Sequence, residues 1–207
     1  MLHKSFFEMK QVINKTFIVL ILVFGSVVNL HAENYSQADT SGVLKIVFEF
    51  FDWYISSINS RKTSEFSPQF VENENGMTTL DFSKYLDNLK RLKFSESLVE
   101  KEKQFFQECV DNLEKVKYSD FQLEFDDLDD FEATNCDFNN RYKWIGGQEA
   151  VDSFKLGRVY VENDNVIVEV EFIDNTSSGS EYFHRGNNKV MLTKINNQWK
   201  INGFEWR

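Results

Sequence analysis

The sequence predicts an α+β fold, with N-terminal helices packed on a curved antiparallel β-meander. Two observations predict it. Between residues 41 and 116 apolar side chains recur at helical spacing, whereas from residue 159 onward they alternate with polar ones at the period of strands. The strand-like stretches are split by Asn163-Asp164 and Asn196-Asn197, dipeptides suited to tight hairpins. Helices first and a meander second is an α+β plan, with the helices on one face of the sheet.

Taken in order, Thr40 or Ser41 is placed to cap a first helix running to about Asn59. Val43, Val47, Phe50, Phe51, Tyr54 and Ile58 form its apolar stripe, opposite Lys45, Glu49, Asp52, Ser56 and Asn59. The polar run from Asn59 to Gly76 reads as a loop. Thr79 precedes a second helical stretch carrying Leu80, Phe82, Leu86 and Leu89 on one side. Ser97-Leu98-Val99-Glu100 fits a capping box and predicts a third helix, with Phe105, Phe106, Cys109, Val110, Leu113 and Val116 as its buried face. No period holds from Tyr118 to about Ser153, a long irregular stretch for a compact domain. Val159 and Val161 lead through Asn163-Asp164 into Val166, Val168, Val170 and Phe172. A second pair, Lys189 to Ile195 and Trp199 to Phe204, closes around Asn196-Asn197.

The N-terminus has its own logic. Lys10 and Lys15 precede the apolar run Phe17 to Phe24, and Leu30-His31-Ala32 offers a small residue for cleavage. This is the pattern of a secretory signal over residues 1–32, and the run falls short of the ~20 apolar residues a spanning helix needs. The expected mature protein is periplasmic or secreted, without a membrane span. Residues 33–40 read as a flexible start and 41–207 as a single domain. Removing Lys4, Lys10, Lys15 and Glu8 from the chain's 23 basic and 33 acidic residues leaves 20 and 32, a net charge of −12. That balance argues against nucleic acid, whose phosphates need a basic face, and against anionic membrane surfaces.

Cys109 and Cys136 are the two cysteines. In an exported protein an even pair reads as a disulfide. The other reading makes Cys109 a buried thiol on an apolar helical face.

Phe50-Phe51-Asp52-Trp53-Tyr54-Ile55 on the first helix, and Val190-Met191-Leu192-Thr193-Lys194 with Trp199-Lys200-Ile201 and Phe204 in the last hairpin, resemble a bacterial family. That family comprises exported proteins and lipoproteins known only as a domain of unknown function. Its fold is similar to the cone shared by nuclear transport factor 2 and the cystatins. The resemblance spans most of residues 40–206 and implies such a cone. Some members carry a central acidic segment, which Asp126-Asp127-Leu128-Asp129-Asp130-Phe131 matches. The lipoprotein members bear a lipidated cysteine that is missing after this apolar run, which implies an untethered protein. The resemblance brings no chemistry with it.

Candidate sites concentrate between Tyr118 and Asn140, where Asp120, Glu124, Asp126, Asp127, Asp129, Asp130, Glu132 and Asp137 occur without a basic residue. Phe121, Leu123, Phe125, Leu128 and Phe131 interleave with them and predict an anchored loop with a solvated acidic rim. The alternative is calcium held by Asp126, Asp127, Asp129 and Asp130, although calcium needs roughly six to eight oxygens and the spacing is not that of an EF-hand. Tyr142 and Trp144, near Arg141 and Lys143 in the irregular segment, are candidates for the mouth of the cone or a partner contact. His184 is the single histidine after residue 32, and no spacing ties it to a carboxylate, so no catalytic residue is assigned. No cofactor other than calcium is indicated. The expected function is that of an envelope accessory protein acting through protein–protein contact, with Tyr142, Trp144 and the four aspartates as the contact. The alternative is a small-ligand binder or acid–base enzyme using a cavity between helices and sheet, provided Phe and Trp do not fill it.

Overall fold

In the computed structural model, which describes residues 37–206 apart from Asp126, Arg141 and 176–180, the first apolar stripe forms helix α1, Gln37–Asn59. Val43, Val47, Phe50, Phe51 and Tyr54 are all at most 1% exposed, as expected of one face repeating every three to four residues. The signal read in residues 1–32 lies outside the described residues. Asp39 ties the start of α1 to the last hairpin, accepting from Trp199 Nε1 at 3.2 Å and from Lys194 Nζ at 3.4 Å.

The fold is α+β. Strands β3 (Ser153–Glu162), β4 (Asn165–Asn175), β5 (Glu181–Ile195) and β6 (Gln198–Glu205) form an open antiparallel meander in the order β3-β4-β5-β6. Both anticipated turns are present. Asn163 and Asp164 have φ of 50° and 64°, and Asn196 and Asn197 have 50° and 61°, the positive values a type I′ loop requires. Register shifts at Leu156/Val159, Val170/Phe172 and Met191/Leu192 interrupt the ladders, and such bulges bend strands. The outer face of β4 is less bare than its alternation predicts. Ile167 and Ile173 are buried, and Glu169 is covered by Arg158, which donates to both carboxylate oxygens at 3.0 and 2.8 Å.

α1 packs across β3, β4 and β6. Between them lies an aromatic cluster: Phe50 meets Phe51, Phe94 and Phe204 at ring distances of 4.8, 5.0 and 5.6 Å, and Trp144 meets Phe204 at 4.8 Å. Phe51 packs edge-on against Phe172 at 5.2 Å. Side chains of this size dominate core energetics, so this part of the helix–sheet interface is a packed core.

The middle of the chain departs from expectation in three places. The polar run after α1 contains a short helix α2 (Thr63–Phe66) and a hairpin of β1 (Gln69–Glu72) with β2 (Thr78–Asp81). Thr79 and Leu80 are therefore in a strand, and helix α3 starts later, at Ser83–Arg91. Asn73 Oδ1 accepts from the amides of Asn75 and Met77, which folds the chain back at this turn. The third helix is two helices, α4 (Glu96–Phe105) and α5 (Gln107–Leu113), broken at Phe106. Its cap is Ser95 rather than Ser97: Ser95 Oγ accepts from the Leu98 amide at 3.1 Å and donates to Asn202 Oδ1 at 2.7 Å. Backbone bonds Ser95 N–H to Ile201 C=O and Ile201 N–H to Lys93 C=O, both 2.8 Å, join this helix start to β6.

The stretch from Tyr118 to Ser153 is also more ordered than its sequence suggests. It holds helices α6 (Tyr118–Glu124) and α7 (Leu128–Ala133), then 3-10 turns at Asp137–Asn140 and Lys143–Ile145. Cys109 of α5 is bonded to Cys136 just after α7, with Cα atoms 5.0 Å apart, so the disulfide is present and the free-thiol reading fails. A second aromatic cluster holds the segment: Phe70 of β1 meets Phe121 at 4.9 Å and Phe138 at 5.4 Å, and Phe125 meets Phe131 at 5.5 Å. No helix among the described residues is long and apolar enough to cross a membrane.

Candidate functional site

The heptad-like positions Val99, Glu102, Phe106, Cys109 and Leu113 are all buried, running through α4 and α5. One of them is an acid. Glu102 is 3% exposed, and burying a carboxylate is costly unless its oxygens are paired. Tyr85 of α3 donates its hydroxyl to Glu102 Oε1 at 2.7 Å, and Lys143 Nζ pairs with Oε2 at 2.5 Å. Lys143 sits on the second 3-10 turn with its side chain 35% exposed, and its ammonium lies 3.7 Å from the centroid of the Phe105 ring. The break at Phe106 creates this geometry. Phe106 turns inward at 4% exposure while Phe105 turns out at 62% and presents its face to the ammonium.

These groups line a cavity of about 900 Å³. Its walls are Tyr54 of α1, Phe66 of α2, Tyr85 and Glu102, Phe138, Tyr142 and Gly146 with their neighbours in the segment before β3, Phe172 of β4, and Trp206 just after β6. The aromatic core beside it is closed; this lateral space is open. Gly146, at φ +64°, turns the chain at the cavity wall, and a Cβ there would come within 3.3 Å of the Trp206 ring. The bridge between Tyr142 and Gly147 fixes the same loop, with Tyr142 N–H donating to Gly147 C=O at 2.7 Å.

Two buried phenols adjoin the carboxylate. Burial pushes the Tyr54 hydroxyl well above the ordinary tyrosine range, countered by the Trp144 amide that donates to it at 3.4 Å, with the charge of Glu102 adding to the rise. Burial, then Glu102, raises Tyr85 in the same way. Both phenols therefore act as neutral hydrogen-bonding groups. The Trp144 indole N–H is buried beside the Tyr85 hydroxyl and partly counters its rise. Since both Glu102 oxygens are engaged, the arrangement is built to hold charge and orient polar groups around an aromatic space.

The residues singled out from the sequence are dispersed. Tyr142 lines the cavity, whereas Trp144 is 3% exposed and belongs to the core behind it. Asp127 caps α7, accepting from the Asp130 amide at 3.2 Å, and with Asp129 it faces solvent; Asp130 is half-buried. Asp126 and Arg141 lie outside the described residues. No group of three or more His, Cys, Asp or Glu side chains is placed to hold a metal among the described residues. His184 is paired with Phe172 across the β4–β5 ladder, and its side chain lies outside those described. The anchoring of the acidic segment falls to its phenylalanines, because Leu123 is 80% and Leu128 46% exposed. Glu102 was not a candidate from the sequence, yet its signal was present: an acid on the buried stripe of a helix.

Compared with known proteins, the chain matches no family model, no curated protein and no solved structure. The geometry of the site is what bears on function.

Proposed function

We propose that this is an exported binding protein that takes a small, partly aromatic ligand in the cavity around Glu102. The observation that carries the reading is the buried Glu102–Tyr85–Lys143 network on the wall of an aromatic-lined space of about 900 Å³. Ligand sites are typically concave and largely apolar, with a few placed polar groups that fix orientation. The cystine between Cys109 and Cys136 supports an oxidising compartment, and with the N-terminal signal pattern it favours the periplasm or the exterior. The test is an NMR titration of the chain with small neutral aromatics such as phenol, indole and 2-phenylethanol. Saturable shifts at the amides of Gly146, Gly147 and Phe138 are expected. Shifts confined to the far side of the sheet, or none at millimolar ligand, contradict the reading.

A second reading is protein–protein contact of an envelope accessory factor, favoured by the exposure of Leu123 and Leu128 amid acidic side chains on α6 and α7. Exposed apolar residues with a charged rim mark contact surfaces when they are contiguous. The partner would then offer a basic, apolar face.

A further inference from the structure

We propose that the cavity is a site for a primary ammonium compound with an aromatic or apolar body, and that Lys143 is its built-in competitor. This rests on the ligand-binding reading above and names its ligand class. The resident cation shows what the site accepts. An ammonium stands 2.5 Å from Glu102 Oε2 and 3.7 Å from the centre of the Phe105 ring, with the Trp144 and Phe106 rings at 5.3 and 5.7 Å. A carboxylate at one side and aromatic faces within about 6 Å at the others make up a cation–π receptor.

Charge points the same way. Among the described lining residues the carboxylates of Glu102 and Glu149 accompany one ammonium, that of Lys143. The field in the cavity therefore favours a cation over an anion. Glu102 cannot move away to admit one, since Tyr85 holds its other oxygen at 2.7 Å and the side chain is 3% exposed. Lys143 can move. It stands on a three-residue 3-10 turn between Tyr142 and Gly146, and a third of its side chain already meets solvent. A ligand ammonium placed on Glu102 would reproduce both contacts of Lys143 and release that side chain to water, while the ligand's ring occupied the space lined by Tyr54, Phe138, Tyr142 and Trp206. An ordinary ion pair would be needed only for stability; here it also stands on the wall of an open cavity.

The probes are 2-phenylethylammonium and its neutral isostere 2-phenylethanol, titrated calorimetrically into the full chain and three variants. The amine is expected to bind wild type at least tenfold more tightly than the alcohol, and to lose that advantage in Glu102→Gln. Lys143→Met, which vacates the site, should tighten amine binding at least tenfold. Lys143→Arg keeps the charge and grips the carboxylate with a fork of donors, and should weaken it severalfold. This variant decides the matter if Lys143→Met does not fold with an unpaired buried carboxylate. Equal binding of amine and alcohol, unmoved by either substitution at Lys143, overturns the ammonium site while leaving a general ligand cavity standing. Absence of binding by both probes, together with a silent titration by the neutral aromatics, overturns the ligand-binding reading as well.

Discussion

Removing the Cys109–Cys136 bridge should cost the protein about 3–4 kcal/mol without changing its fold. The two cysteines are 27 residues apart, and closing a loop of that size restricts the unfolded chain by roughly that amount in the entropy model. The folded state should persist because other ties join the same elements. Asn135 Nδ2 donates to Glu108 Oε1 at 2.7 Å, and Asn112 Nδ2 to the Thr134 carbonyl at 3.2 Å. The perturbation is the double change Cys109→Ala with Cys136→Ala, and the assay is urea unfolding followed by tryptophan fluorescence. With an m-value of about 1–3 kcal/mol/M the midpoint should fall by roughly 1–4 M, and m itself should rise as the unfolded chain expands. A loss below about 1 kcal/mol would refute the reasoning, as would two reactive thiols in unreduced, denatured protein. The cavity should feel the change too, because its wall from Asp137 onward begins one residue after Cys136.

Two further outcomes are expected. Acidification should destabilise the fold. Glu169 is held below the ordinary glutamate range by hydrogen bonds from Arg158, Glu65 by Lys84 and Asn88, and Asp81 by the Ser83 amide and hydroxyl. A carboxyl whose folded pKa is depressed stabilises fully above its unfolded value, and that contribution disappears as pH falls through the folded one. The melting temperature should therefore drop below pH ~4.5, less steeply in Glu169→Gln; a flat profile from pH 5 to 3 would contradict this. For the contact reading, the tagged chain should retain one stoichiometric partner that Leu123→Ser, or Asn at Asp127, Asp129 and Asp130, releases. Capture unaltered by both sets of changes counts against that surface.

Much of the fold could be read from particular residues. The stripe from Val43 to Ile58 required an amphipathic helix, and two Asn-containing dipeptides at positive φ placed both tight hairpins of the meander. The cysteine pair became a disulfide through the argument from compartment, which packing alone left open. What escaped was short or cooperative. β1 and β2 are four residues each, and their polar sequence carries no period long enough to separate strand from loop. The break at Phe106 leaves the helical stripe nearly in phase, so the sequence runs on where the backbone turns. Glu102 and Lys143 are 41 positions apart, and only the folding of α4 against the 3-10 turn brings them together. The acidic segment drew attention by composition, whereas the site depends on one acid in an apolar stripe.

The most direct measurement is a crystal structure of the chain grown with 2-phenylethylammonium. The account predicts the ammonium within about 3 Å of Glu102, its ring against Tyr142 and Trp206, and Lys143 turned out to solvent. An empty cavity at saturating amine, or a bound amine with Lys143 still on Glu102, would contradict it.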